Sequence, residues 1–520
     1  VELFKLSTPN YAPEGCESLY YRVINGSLNK NENCYDLSDD TIVATNTYFN
    51  IFSSSKYAEY TKAENITFTT RVSGRMDICL HIHTLEKDEV IEHVPVNSET
   101  PIEVSLKFNI KGLSDKEKIT CHYVSFESKG SSKIHEFGSY STDAKQSDVR
   151  LALAICTFQR EEYVEKTVKT LKNMISNPSY DSKQIDIFII DNGRTLTEDI
   201  CSESFIHLIP NRNLGGSGGF TRGMIEACEH GATHVLLMDD DISLDPNTIY
   251  KTLNILKVLK EEHMDVFILG GMLDSNKPMM QYEAGSLYNG QFKKRKGELD
   301  LISEKSLMFN DLFEKTDYGA WWYLCMPTHI CDNNLPLPFF IKMDDVEYGL
   351  RTMKDHIVMN GIGIWHESFD GKRNRVMENY YHERNFRIVM SIYGLKKYHF
   401  FIEFWHKIIF HLSSMDLEAI NIYMRGIWDY TVGPKLISDV DEEKLHAEIQ
   451  SMNTTPYNTA PENLKSLARN SLKANFWRTI LKCAFFWIKE IGKRKRVSKE
   501  YREVWKNSTT TNHWKARFKM

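Results

Sequence analysis

Met238-Asp239-Asp240-Asp241-Ile242-Ser243 sets three consecutive carboxylates directly after the apolar run His234-Val235-Leu236-Leu237. A strand ending in an Asp-x-Asp triplet offers hard oxygen ligands at the carboxyl edge of a sheet. Open α/β sheets bind ligands at that edge, and Mg²⁺ or Mn²⁺ gripping a diphosphate needs such ligands. The competing reading is an acidic loop that starts the next helix at Asp245-Pro246. Two later segments extend the first reading. Phe339-Phe340-Ile341-Lys342-Met343-Asp344-Asp345 is another apolar run ending in paired acids: one can cap a helix, the other act as general base toward an attacking hydroxyl. Gly363-Ile364-Trp365-His366 ends an alternating strand in a histidine suited to be a third metal ligand, although a lone histidine is usually structural.

The elements that must position these residues begin at Val149, where strand and helix patterns alternate. Residues 151–157, 185–191, 205–209 and 234–238 read as strands, and 161–175 and 219–230 as helices, which predicts a mainly parallel sheet covered by helices. The first strand ends in Thr157-Phe158-Gln159-Arg160 and the second in Asp191-Asn192-Gly193. Such carboxylates and amides accept hydrogen bonds from ribose or base, and Arg160 neutralises phosphate; singly, each is more often a turn residue or cap. Asn211 to Gly223 is rich in glycine, with Gly215 and Gly216 placed where backbone can approach a ligand and a following helix offers N–H groups to an anion. It fits a dinucleotide-binding loop poorly, because it lacks the last glycine of G-x-G-x-x-G and does not directly follow the first strand. Trp321-Trp322-Tyr323 cannot all point one way on a strand, so at least one is expected to line a cleft or interface.

Residues 1–148 carry short alternating runs that predict a β-sandwich, closed by a polar linker at 139–147. The remainder divides into an α/β domain, 149–385, and a helical region, 386–520, that includes an aromatic segment at 398–412. The ten cysteines form no C-x-x-C pair, which points to free thiols in a reducing compartment. Neither a membrane-length apolar run nor a secretory signal is apparent, so a cytoplasmic protein is expected. The net charge is −6, yet residues 473–520 hold 14 Lys and Arg against 3 Asp and Glu. Within them Phe476, Trp477, Ile480, Leu481, Ala484, Phe485, Ile488 and Ile491 recur at helical spacing, with Arg478, Lys482, Lys489 and Lys493 on another face. Such a helix suits an anionic lipid interface, and equally a packing or subunit contact.

In order, Cys-Thr-Phe-x-Arg, Asp-Asn-Gly, Asn-Leu-Gly-Gly-Ser-Gly-Gly-Phe, Asp-Asp-Asp-Ile, Trp-Trp, Phe-Ile-Lys-x-Asp-Asp-x-Glu-Tyr-Gly-Leu-Arg and Trp-His resemble the galactofuranosyltransferases of glycosyltransferase family 2. The resemblance covers about residues 150–370 and implies a GT-A central domain between a β-sandwich and a helical region. It assigns Asp239, Asp241 and His366 to a divalent cation, Mn²⁺ or Mg²⁺, with Asp239 also facing the UDP diphosphate, and Asp345 to the base. Arg160, Asn192 and Asn213, with Asp191, Gly215 and Gly216 close by, fall on the UDP side, and Trp321 and Trp322 on the sugar floor. Gln159, Met343 and Tyr323 depart from the pattern and bear on sugar and acceptor identity. The implied activity is inverting transfer of galactofuranose from UDP-galactofuranose to a lipid-linked glycan at the inner face of the cell membrane. The enzyme would be peripheral to that membrane, with homo-oligomers allowed and no nucleic-acid partner. The alternatives are a family 2 enzyme with another nucleotide sugar and a non-catalytic carbohydrate-binding protein.

Overall fold

The computed structural model describes residues 1–31, 34–177, 184–368, 374–394, 400–414, 416–454 and 464–519, the last segment with side chains from residue 477. The N-terminal strands are Glu2–Lys5, Arg22–Asn25, Leu28–Lys30, Tyr35–Leu37, Ile42–Ala44, Asn65–Thr84, Asp88–Asn109 and Thr120–Thr142 (β1–β8). Expected as a β-sandwich, they are joined by one continuous antiparallel hydrogen-bond network. The reason is length: β6 pairs with β8 along nearly all of it, while β1, β4 and β5 share successive stretches of the other edge of β8. Bulges near Gly74 and Gly138 interrupt the ladder; both have positive φ, and a Cβ at either would sit 2.4 Å from a carbonyl oxygen. The linker expected at 139–147 begins later, because Ser139–Thr142 are strand and pair with β1 and β6.

The central domain opens with Leu151–Thr157 (β9), Ile185–Asp191 (β10), Ile206–Pro210 (β11), His234–Asp239 (β12) and Ser243–Leu244 (β13). It continues through Phe267–Leu269, Gly271–Asp274, Lys277–Glu283, Ser286–Tyr288, Phe292–Lys294 and Leu299–Asp300 (β14–β19) to Tyr323–Pro327, His356–Ile357 and Gly363–His366 (β20–β22). The main sheet runs β11-β10-β9-β12-β20-β14-β21, with β9 to β12 parallel and β20 antiparallel to both neighbours. Chain order reverses between β9 and β12, so a crevice opens at their carboxyl ends. A smaller sheet has the order β13-β22-β15-β16-β19, and its strand β22 ends in His366.

The helix Glu161–Ile175 forms where the periodicity places it, burying Val164, Val168, Leu171 and Ile175. Beyond it, the boundary expected at 385 falls inside the helix His382–Tyr393, which continues directly from a π-helical turn, Val376–Tyr381. The N-terminal sheet and the central domain share one apolar core, joining Phe4, Phe52 and Phe68 to Leu151, Ile187 and Leu253. The C-terminal segment is no free tail: its last helix, Thr511–Lys519, buries Trp514 among central-domain side chains. The Trp514 indole donates to Pro336 O at 2.9 Å, and Arg517 pairs with Glu442 at 2.9 Å.

Candidate active site

Three strand ends meet at the crevice. β9 and β12 are in register with Cys156 opposite Asp239, so Arg160, four residues past Cys156, reaches the triplet and pairs with Asp240 at 3.1 Å and Asp241 at 2.5 Å. β13 begins two residues after Asp241, and its Ser243 pairs with Trp365, which delivers His366 to the same point. His366 Nε2 lies 3.2 Å from Asp241 Oδ1 and 4.0 Å from Asp239 Oδ2. One ligand atom from each of Asp239, Asp241 and His366 falls within 4.8 Å of the others. The second ring nitrogen, Nδ1, bonds to Glu367 O at 2.7 Å, which aims Nε2 into the site. Burial acts to raise Asp241, but the His366 and Arg160 contacts outweigh it and hold the carboxyl at about 2. Asp239 shifts the other way, raised by burial and by its two acidic neighbours. Two oxygen donors and one oriented imidazole nitrogen fit a hard or borderline divalent cation.

The paired acids open the helix Asp344–Thr352 behind a strained loop. Phe340, Lys342 and Met343 all have φ near +68° (69°, 67° and 69°), a left-handed conformation that costs non-glycine residues about 1 kcal/mol or more each. The restraint comes from the C-terminal helices. Asn385 Nδ2 donates to Phe339 O, Ile341 O and Lys342 O at 3.1, 3.0 and 2.9 Å, and Arg384 donates to Phe339 O at 2.8 Å. Asp344 is buried toward Gly216, and Asp345 is largely buried but retains some exposure. Burial lifts Asp345 to about 6, and burial together with the Asp345 charge lifts Asp344 to about 8.

The glycine-rich segment is helical from Gly215, earlier than expected, and most of its glycines serve protein packing. Gly215 has φ +66°, and a Cβ there would sit 2.0 Å from Phe340 O, so it admits the base loop. Gly219 and Gly223 let the helix lie against Cys156 and Ala154 of β9. At Gly216 a Cβ would meet only Asp344, at 4.0 Å, which leaves that position open.

Four residues expected on the donor side are buried against protein partners. Asp191 is buried, and its carboxylate accepts from Gly193, Thr195 and Leu196 N–H at 2.8 to 2.9 Å, so it shapes a turn. Asn192 is also buried; it donates to Gly215 O at 3.0 Å and accepts from Asn211, tying two loops together. Trp321 and Trp322 precede β20 and enter different cores, both at least 94% covered. Trp321 packs on Phe220 and Tyr348, while Trp322 donates to Gly270 O and its ring lies 6.5 Å from that of His366. Neither offers a broad face to a sugar. Asn213 stays half-exposed at the crevice edge; its Oδ1 accepts from Gly215 N, and Glu443 of the C-terminal region accepts from its N–H at 2.9 Å.

The structure also brings in residues that the motifs did not single out. Glu283, at the end of β16, is pushed to about 7 by burial, with the Asp345 charge contributing. Phe292, half-exposed, packs against Tyr288, Tyr318 and His382, an aromatic cluster beside Asp345. Tyr282-Glu283-Ala284-Gly285 carries the same pattern as Asp191-Asn192-Gly193, an acid closing a strand two residues before glycine.

With this geometry described, relatives can be compared. Residues 149–364 match the model of a family described as glycosyltransferase like family 2. The matched stretch lies within the central domain, which is similar to that family. Two curated relatives are the galactofuranosyltransferases GlfT2 of Mycobacterium tuberculosis (strain ATCC 25618 / H37Rv) and Mycolicibacterium smegmatis (strain ATCC 700084 / mc(2)155). They are 25% and 24% identical over 77% and 79% of this chain, which spans 66% and 67% of their lengths. The solved structure of glucosyl-3-phosphoglycerate synthase from Mycobacterium tuberculosis in complex with phosphoglyceric acid matches with a TM-score of 0.29. Its identity is 11%, over 47% of this chain and 79% of that one.

Proposed function

We propose that this protein is an inverting, metal-dependent glycosyltransferase of GT-A type that moves galactofuranose from UDP-galactofuranose to a glycan hydroxyl. The observation that carries the reading is the convergence of Asp239, Asp241 and His366 at the switch-point crevice, in a domain similar to galactofuranosyltransferases. Asp239, Asp241 and His366 would hold Mn²⁺ or Mg²⁺, which when bound supplies Lewis-acid stabilisation of the departing diphosphate. Arg160 exchanges its Asp240 and Asp241 partners for phosphate oxygens when the donor binds. Asp345, largely buried with its pKa lifted to about 6, is ionised at neutral pH yet basic enough to take the acceptor proton. Phe292, 51% exposed, offers an apolar face to the acceptor sugar, and Glu283 accepts from its hydroxyls.

A lipid-linked acceptor and a peripheral site of action on an anionic membrane complete the proposal. Among the described residues no helix is long and apolar enough to cross a membrane. On the helix Leu464–Val504, Trp477, Leu481, Phe485 and Ile488 are 65 to 72% exposed, and the neighbouring helix Phe400–Ser413 exposes Phe401, Ile402 and Ile409 beside them. Lys495 and Arg496 are exposed, whereas Lys493 and Arg494 already lie over the Trp428 and Phe400 rings. The Phe476 side chain lies outside those described.

The test is mass spectrometry of products from a synthetic lipid-linked acceptor, with UDP-galactofuranose, UDP-galactopyranose and UDP-glucose as separate donors. EDTA should stop transfer and Mn²⁺ or Mg²⁺ restore it. Turnover from another donor alone would replace the assigned sugar, and full activity in EDTA would remove the metal.

A further inference from the structure

Cys228 is the one exposed cysteine of the ten, in the last turn of the helix Gly215–Glu229. Beside it runs the short turn Thr328–Cys331, with backbones approaching within 8 Å. Cys228 Sγ lies 3.6 Å from Thr328 O, and Cys228 and Cys331 together line a cavity of about 310 Å³ with Ile225, Thr328 and Leu335. Cys331 is buried at its floor, where its sulfur accepts from the Tyr348 hydroxyl at 3.7 Å. A hydrogen bond from Cys331 to Cys228 lowers the Cys228 thiol, and the same bond, with burial, raises Cys331. An outer thiol biased toward thiolate above an inner thiol is the arrangement of an attacking cysteine and its resolving partner.

We infer that Cys228 and Cys331 form a reversible dithiol–disulfide site, outside the crevice and independent of the proposed transfer reaction. The oxidant is a low-molecular-weight disulfide. The Cys228 thiolate attacks one of its sulfurs, forming a mixed disulfide and releasing one thiol, which carries away the Cys228 proton. Cys331 then attacks Cys228 Sγ, and the second thiol leaves with the Cys331 proton. Two protein thiols become one disulfide while the oxidant is reduced to two thiols. The product staples the glycine-rich helix to the turn that follows β20.

The full chain, incubated with glutathione disulfide, is examined by intact mass and by non-reducing peptide mapping. The expected result is a loss of about 2 Da, a cross-link between the Cys228 and Cys331 peptides, and full reversal by dithiothreitol. Cys331→Ser should stop at a stable glutathione adduct on Cys228, and the surface substitution Cys228→Ser should leave Cys331 unmodified. A stable adduct on the parent chain, a cross-link to any other cysteine, or no reaction at Cys228 would overturn the proposal.

Discussion

The proposed metal corner, Asp239, Asp241 and His366, and the proposed base loop, residues 339–345, are built in opposite ways. Asp239, Asp241 and His366 sit at or just past strand ends, positioned by ladder register: Asp239 opposite Cys156 and Ser243 opposite Trp365. The base loop has no ladder. The carbonyls of Phe339, Ile341 and Lys342 are held by Arg384 and Asn385, about 45 residues later in the helix His382–Tyr393, and that of Phe340 by Ser217 N. The C-terminal region also grips the donor side, through Glu443 on Asn213 and on Arg212. A ladder distributes its restraint over many backbone bonds, whereas a brace concentrates it in two side chains. The base loop should therefore be the corner that a single distant substitution can disable.

The largest expected effect is at the base itself. Asp345→Asn should retain donor and metal binding and lose transfer by about 10²–10⁴-fold, the usual worth of a general base. An active Asp345→Asn beside a dead Asp344→Asn would move the role to the buried partner.

Next is the brace. Asn385→Ala removes three hydrogen bonds to loop carbonyls and should cost transfer about 10²-fold through misplacement of Asp345, with Mn²⁺ affinity unchanged. Equal losses of metal binding and transfer would show that the two corners are one mechanical unit.

A smaller effect separates them by pH. Asp345 must lose its proton to act, and burial raises its pKa to about 6, so kcat/KM should fall as pH drops through about 6 and level off above it. An acid limb near pH 4, the ordinary carboxyl range, would mean that the loop does not bury its base.

The smallest effect lies away from both corners. Replacing exposed Lys495 and Arg496 by alanine should weaken binding to anionic vesicles by about 1 kcal/mol each, and leave transfer to a soluble acceptor unchanged. Undiminished vesicle flotation would assign the apolar stripe to contacts between protein copies instead.

Much of this was legible from local pattern. Apolar runs followed by acids located the end of β12 and the Asp344-Asp345 pair, because a buried segment that emerges at a polar edge leaves that mark in any sequence, whereas Glu283 at the end of β16 follows no apolar run and was not singled out. Alternation and spacing also placed Glu161–Ile175 and Ile185–Asp191 with their observed ends. What polar and glycine residues do at those ends was not legible. Asp191, Asn192 and Gly215 have the composition of a nucleotide loop, yet their partners are Thr195, Asn211 and Phe340, and only folding reveals which neighbour arrives first. The tryptophan pair divides between two cores because the chain turns there before β20, a choice set by packing on both sides. Sequence alone determined which residues could carry the chemistry, since residue type and period depend on the local chain. Tertiary structure decided which of them meet, because the His366–Asp241 contact and the Asn385 brace span about 125 and 45 residues, and no local preference encodes a distance between segments so far apart.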